Sequence, residues 1–253
     1  MGRSLWKIIL SKCYVFSSRS CVYLLDHSSK MAPTSDLSRN QSLRHFATAA
    51  ALVGWAALGL QLWLTVTLVL SQGRGWGMAL VIYFGFFTIL SNLLATLVLS
   101  AWRIGHSFPG HGWLTRPVTL TTAASAITIV GLVYFFVLRH TWQPEGAQFV
   151  ADAMLHYIMP VLMVLFWAWA VPPRAMPWAR APWLLLQLLV YPLVYLVYVF
   201  ARGELVSLYP YPFIDVLTIG YPAAIRNSAG LIVAYALVAG LYAGLKSLPA
   251  RRT

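Results

Sequence analysis

Acidic residues are scarce in this chain. Asp and Glu number 6 in 253 residues, and all charged residues together make up 9%, against about 25% in an average soluble protein. So few charges do not cover a solvated surface of this size, which excludes a soluble enzyme. A hydrophobic share of 60% excludes a disordered tail. Cysteine is nearly missing as well: Cys13 and Cys21 are the 2 present, which excludes a secreted disulfide scaffold. Their spacing, with only His27 nearby, matches no zinc site, so no metal or other cofactor is expected. A haem is a minor alternative, with His140 and His156 as the histidines nearest its reach. Also missing are the alternating ten-residue segments of a membrane barrel and an internal repeat of the kind many transporters carry. What the chain does have is 18 Lys and Arg, for a net charge of +12. A nucleic-acid-binding domain gathers such charge on one solvated face. Here the basic residues punctuate long apolar runs, so a nucleic-acid partner is not expected.

Those runs are long enough to cross a bilayer, which takes about 20 apolar residues. Six are present, at roughly 46–71, 78–101, 117–138, 152–171, 183–201 and 228–247. Six such runs cannot all be buried in a soluble fold of 253 residues. The expected fold is therefore all-α: a polytopic bundle of six transmembrane helices over 45–248, with a short tail at 249–253. Fourteen of the 18 Lys and Arg fall on the side of the termini, including Arg103, Arg116, Arg174, Arg180, Arg251 and Arg252. Arg74, Arg139, Arg202 and Arg226 fall on the other. The positive-inside rule then places both termini in the cytoplasm of a multi-pass cell-membrane protein. Glu145, Asp152, Glu204 and Asp215 lie on the outer side, giving a polar, near-neutral outer mouth.

Residues 1–44 differ from the rest. They are Ser-rich and basic, and read as a flexible cytoplasmic extension with free thiols, or as an upstream stretch before a true start at Met31. The apolar run after Lys7 is too short for a signal peptide. Between the fifth and sixth spans, 202–227 repeats Tyr-Pro at 209–210, 211–212 and 221–222. Proline fixes φ and removes a donor, so this reads as rigid non-helical chain, either a lid at headgroup level or an aromatic belt. The Pro- and Trp-rich segment Pro172–Trp183 reads as a tight turn with interface anchors. Gly85 and the pair Gly240 and Gly244 permit close helix packing.

Polar groups inside the spans are few and are functional candidates by default. Thr88, Ser91 and Asn92 share one helix face by their spacing of three and four. The third span carries Thr119, Thr121, Thr122, Ser125 and Thr128, the fifth Gln187, and the fourth His156. Hydrogen bonding across the bundle accounts for most such residues. Thr88 and His156 stand apart because both lie in the outer half, about 15 Å and 6 Å deep at 1.5 Å per residue. A hydroxyl within reach of an imidazole is a nucleophile and base pair.

The segments FFTILSNLL (86–94), LHYIMP (155–160) and YPYPFIDV (209–216), with Gly220, Tyr221 and Asn227, carry a family resemblance. Over nearly all of 45–248 the chain resembles the bacterial integral membrane proteins of the Pr-six-Pr family. More distantly it is similar to the androgen-induced-gene and FAR-17a family of six-span threonine hydrolases, which cleave fatty-acid esters of hydroxy fatty acids. The resemblance implies Thr88 as nucleophile, His156 as base, and a substrate-binding part for Tyr211, Asp215 and Asn227. The chain departs from the animal proteins in a His-to-Pro spacing one residue shorter and in Asp215 where those have Glu.

The function expected is a membrane-embedded hydrolase of a fatty-acid ester or related lipid. Thr88 attacks the carbonyl and His156 carries the proton. Ser91 or Asn92 helps bind the oxyanion, and Asp152, one turn before His156, orients the ring. A lipid from the bilayer is the expected partner. A small-molecule or lipid transporter using the same polar face, and a non-catalytic structural or regulatory protein, are the other readings.

Overall fold

A computed structural model describes residues 34–141, 143–176 and 181–249. These form α1 (Thr34–Ser71), α2 (Trp76–Gly85), α3 (Phe87–Ile104), the single turn α4 (His111–Leu114), α5 (Pro117–Val133), α6 (Gly146–Ala153), α7 (Met159–Ala170), α8 (Ala181–Val206) and α9 (Val216–Leu245). Two π-helical turns, Tyr134–Leu138 and Met154–Ile158, continue α5 and join α6 to α7, and a 3-10 turn spans Pro212–Ile214. No strand occurs among the described residues. Six helical stretches are long and apolar enough to cross a membrane: 40–71, 87–104, 117–138, 146–170, 181–206 and 216–245. Cys13, Cys21, Met31, Trp178, Arg180, Arg251 and Arg252, which figure in the readings above, lie outside the described residues.

The centre of the bundle is legible from burial. In their most apolar windows, α3 is 56% buried and the stretch 117–138 is 61% buried, whereas α1, α8 and α9 are 28% buried. The threonines and small residues of α5 suit that central place. Ala123, Ala124, Ser125, Ala126 and Ile127 are all fully buried, and small side chains let helix backbones approach where no hydrophobic drive separates them from lipid. Around them pack Leu99, Met159, Met163 and Phe166. On the opposite flank sit Leu188, Tyr235 and Ala239. Pro117 opens α5, where the missing N–H is of no consequence, and Pro160 stands at the start of α7 directly after the π turn.

Several local expectations change. Residues 34–44, read as part of a flexible extension, are helical in α1. The segment 202–227, read as non-helical, is mostly helix: α8 runs to Val206 and α9 starts at Val216, leaving 207–215 as the connection. The Tyr-Pro repeats misled because Pro222 falls near the start of α9, behind a kink at Gly220, whose φ of 74° only glycine adopts readily. The connection itself packs inward, with Ile214 and Tyr211 buried. The second span is not continuous: it breaks at Phe86, whose φ of −84° and ψ of 129° are extended. A Cβ on Gly240 would meet nothing within 4 Å, so this glycine does not serve close packing within the described chain.

Candidate functional site

The break at Phe86 creates two helix ends inside the bundle, and each end must have its backbone satisfied where water is excluded. At the end of α2 the carbonyls lack the usual i+4 amides. One face of α8 supplies donors instead. The Tyr195 hydroxyl donates to Gly85 O at 3.0 Å and the Tyr198 hydroxyl to Phe84 O at 3.2 Å, and Arg202 Nε adds a bond at 2.9 Å to Val81 O, whose i+4 residue, Gly85, still lies within the helix. Their spacing of three and four residues places them along one stripe. At the start of α3 the amides are the free groups. Thr88 lies in this first turn, and its N–H donates to the Tyr211 hydroxyl at 3.3 Å.

The opposite wall is built by the π turn Met154–Ile158, and its position follows from Pro160. Proline has no N–H to give the carbonyl four residues before it, and its ring crowds that carbonyl. Here that carbonyl belongs to His156. It swings towards α5, where a Cβ on Gly131 would sit 3.2 Å from His156 O. Gly131 therefore admits the bulge. π turns of this kind recur at functional sites.

These two devices bring Thr88 and His156 together: Thr88 Oγ1 lies 3.4 Å from His156 Nε2. The unequal depths expected from the sequence are corrected by the true start of the fourth span. α6 begins at Gly146 rather than near Asp152, so His156 is ten residues in, about 15 Å at 1.5 Å per residue. Asp152 completes the row. His156 Nδ1 is 3.2 Å from Asp152 Oδ1 and 3.0 Å from Asp152 O. Both of those atoms only accept while the carboxylate is ionised, so the proton sits on Nδ1. The lone pair of Nε2 then faces the Thr88 hydroxyl. Tyr134, from the other π turn, stacks on the imidazole with centroids 4.1 Å apart and planes 18° apart. All three members are well covered, Thr88 at 7% exposure and Asp152 at 4%.

Tyr211 reaches the same point from the 207–215 connection. Its hydroxyl lies 3.4 Å from Thr88 Oγ1. Burial pushes this phenol up from its ordinary pKa, so it stays neutral and can donate. The other expected residues have different work. Asn92 Nδ2 donates to Thr88 O at 2.8 Å and Leu155 O at 3.2 Å. It shares the face of Thr88, as the spacing implies, and its amide nitrogen ties the helix of Thr88 to the π turn. Ser91 Oγ pairs with the Tyr191 hydroxyl at 3.4 Å. Asp215 caps α9, accepting from Leu217 N at 3.1 Å and Thr218 Oγ1 at 2.7 Å. Asn227 Nδ2 donates to Phe213 O at 2.9 Å and steadies the connection.

Thr88 sits between two cavities. The larger, about 550 Å³, is lined by Thr88, His156, Asp152 and Tyr211 together with Gln61, Gln148, Arg74 and Arg202. That size is within the range of small-molecule sites. The smaller, about 70 Å³, is apolar and lies among Ile129, Val133, Pro192, Tyr195, Leu231 and Tyr235. Thr88 and Tyr211 line both. Among the described residues no group of three His, Cys, Asp or Glu side chains is placed to hold a metal ion. Sequence reasoning missed Tyr134 and Arg202. Nothing in the sequence near Tyr134 announces its partner 22 positions later, whereas the Tyr195, Tyr198 and Arg202 spacing was a readable stripe. No protein-family model matches the chain, and no curated protein and no solved structure matches it.

Proposed function

We propose that this chain is a membrane-embedded hydrolase of acyl esters of the lipid class. The observation that carries the reading is the row Thr88 Oγ1, His156 Nε2, His156 Nδ1, Asp152, with steps of 3.4 Å and 3.2 Å. In it the imidazole lone pair faces the hydroxyl while the acid holds the ring. A nucleophile, a base and an orienting acid in that order form the general logic of acyl transfer. Thr88 Oγ1 attacks the ester carbonyl and its proton passes to His156 Nε2. The imidazolium then gives that proton to the leaving alcohol, and the acyl group stays on Thr88. A water then loses a proton to His156 as it attacks the acyl-threonine; the imidazolium returns that proton to Thr88 Oγ1 as the acyl–oxygen bond breaks, and the acid leaves. The Tyr211 hydroxyl, itself held by the Thr88 N–H, is the donor beside the reacting carbon. Donors of this kind, fixed in a water-poor site, contribute most where negative charge develops. The Pr-six-Pr and androgen-induced-gene resemblances support the same pair. We further propose a cell-membrane location with both termini cytoplasmic, on the Lys and Arg asymmetry.

A fluorophosphonate probe tests this in membranes. It should label the wild type, fail on Thr88→Ala, and label His156→Ala at least about a thousandfold more slowly, with both variants keeping the wild-type melting temperature. Full labelling of Thr88→Ala sinks the mechanism.

A second reading has one observation in its favour. A membrane helix broken beside a cavity is a device of transporters, whose half-helix ends bind substrate near the midplane. Substrate flux into proteoliposomes with no product formed would support transport in place of hydrolysis.

A further inference from the structure

Arg202 is a buried cation whose charge no acid offsets. It is 7% exposed, and its Nε and Nη1 donate to the carbonyls of Val81 and Leu208 at 2.9 Å and 2.8 Å. Nη2 hydrogen-bonds to none of the described residues. Its guanidinium lies flat on Gly85, where a Cβ would come within 2.8 Å of Cζ. The nearest acid in sequence, Glu204, accepts from Tyr209 at 2.7 Å and from Tyr221 at 2.6 Å. Among the described residues no carboxylate lies within ion-pair distance of Arg202 or Arg74. Both arginines line the larger cavity, and Asp152, which holds His156, is the one acid in its wall. A buried charge without a partner is costly to keep, and Nη2, left over once Nε and Nη1 are taken, is a charge-assisted donor suited to an oxyanion.

We propose that the larger cavity receives the anionic head group of the substrate at Arg202 and Arg74, while the acyl chain lies on the apolar side of Thr88. The assignment rests on the hydrolase reading. It narrows the substrate class to an acyl ester whose alcohol part carries a phosphate or a carboxylate. Gln61, Gln72 and Gln148 in the same wall supply neutral hydrogen bonds to the rest of that head group. The two sides of Thr88 then match the two ends of one amphiphile, with the ester at their junction.

Binding without chemistry tests it. The full chain carrying Thr88→Ala is placed in nanodiscs of neutral phosphatidylcholine and titrated with dodecyl phosphate, dodecanoate and dodecanol, with empty nanodiscs as reference. At least one of the two anions should bind about tenfold or more tighter than dodecanol, and the tighter of the two names the head group. Adding Arg74→Gln or Arg202→Gln should cut that advantage about tenfold. Gly85→Ala, which keeps the charge but displaces it, should also reduce it and serves if Arg202→Gln does not fold. Equal binding of all three probes, or an anion advantage that survives every variant, overturns the subsite. Myristate release from myristoyl esters by the wild-type chain is scored separately. Intact anion binding without any cleavage defeats the hydrolase reading alone.

Discussion

At the residue scale, Asp152 decides which nitrogen of His156 carries the proton. With the carboxylate and the Asp152 carbonyl both accepting at Nδ1, the ring has one usable tautomer. Asp152→Asn offers an amide that can donate as well as accept, and lets the proton move to Nε2. The row then loses its base while its geometry survives. Ester turnover should fall by about 10³ to 10⁴, as for triads that lose their acid, with little change in KM; turnover within about tenfold of wild type would remove Asp152 from the mechanism. Tyr211→Phe removes one donor and should lower kcat by about 10² to 10³, while a loss confined to KM would make Tyr211 a wall of the cavity only. Thr88 and His156 could be named together from the sequence through the segments FFTILSNLL and LHYIMP and the family resemblance they carry; hydroxyl character alone would not have set Thr88 apart from the five Ser and Thr of the third span. The work of Asn92, Asp215 and Asn227 was not legible. Their residue types suit a reacting site and a backbone cap equally well, and only the positions of Thr88 O, Leu155 O, Leu217 N and Phe213 O separate the two.

At the scale of elements, the site depends on two departures from regular helix. One is the break at Phe86 and the other is the π turn before Pro160. The six spans could be counted from hydropathy alone because about 20 apolar residues have few other places to go. Breaks and bulges escape such counting because they leave hydropathy unchanged: Gly85 and Phe86 are as apolar as their neighbours. Pro160 did mark a disturbance, but its direction depends on Gly131, 29 positions earlier on another helix. Gly131→Val should therefore act at a distance from the chemistry. The added methyl groups meet the His156 carbonyl, which has only 3.2 Å to a bare Cβ, and push the π turn from Thr88. A displacement of about 1 Å costs on the order of a hundredfold in rate. Fluorophosphonate labelling of this variant should slow by that factor while Thr88 and His156 remain intact; labelling at the wild-type rate would mean the bulge is not held by α5.

For the whole molecule, six helical stretches among the described residues are long and apolar enough to cross a membrane. Arg44 Nη2 donates to Arg103 O at 3.0 Å, and Met176 N to Lys246 O at 3.4 Å. These contacts mark the end shared by the first and last described stretches. Ser207, Tyr209 and Tyr211 mark the other. Single cysteines at Ser207 and Ser247, in a chain with Cys13→Ser and Cys21→Ser, should react with an impermeant maleimide from opposite faces, Ser207→Cys from outside intact cells. Labelling of both from one face would contradict the six-crossing arrangement, and labelling of Ser247→Cys alone from outside would reverse the orientation drawn from the basic residues.

The three donors that α8 lends to α2 also determine how the molecule moves. If α8 turns or slides past α2, the oxygens of Gly85 and Phe84, which have no amide from their own helix, lose their partners together. Each orphaned carbonyl costs several kcal/mol in hydrocarbon. The two helices are therefore one mechanical part, with Thr88 hinged at its edge. On the far side of the larger cavity, α1 and α6 are joined by a single side-chain hydrogen bond, Gln148 Nε2 to Gln61 Oε1 at 2.9 Å. A neutral hydrogen bond contributes about 1 kcal/mol, little beside the bonds that tie α8 to α2. On the hydrolase reading, a lipid substrate would meet a fixed wall at α2 and α8 and enter between α1 and α6.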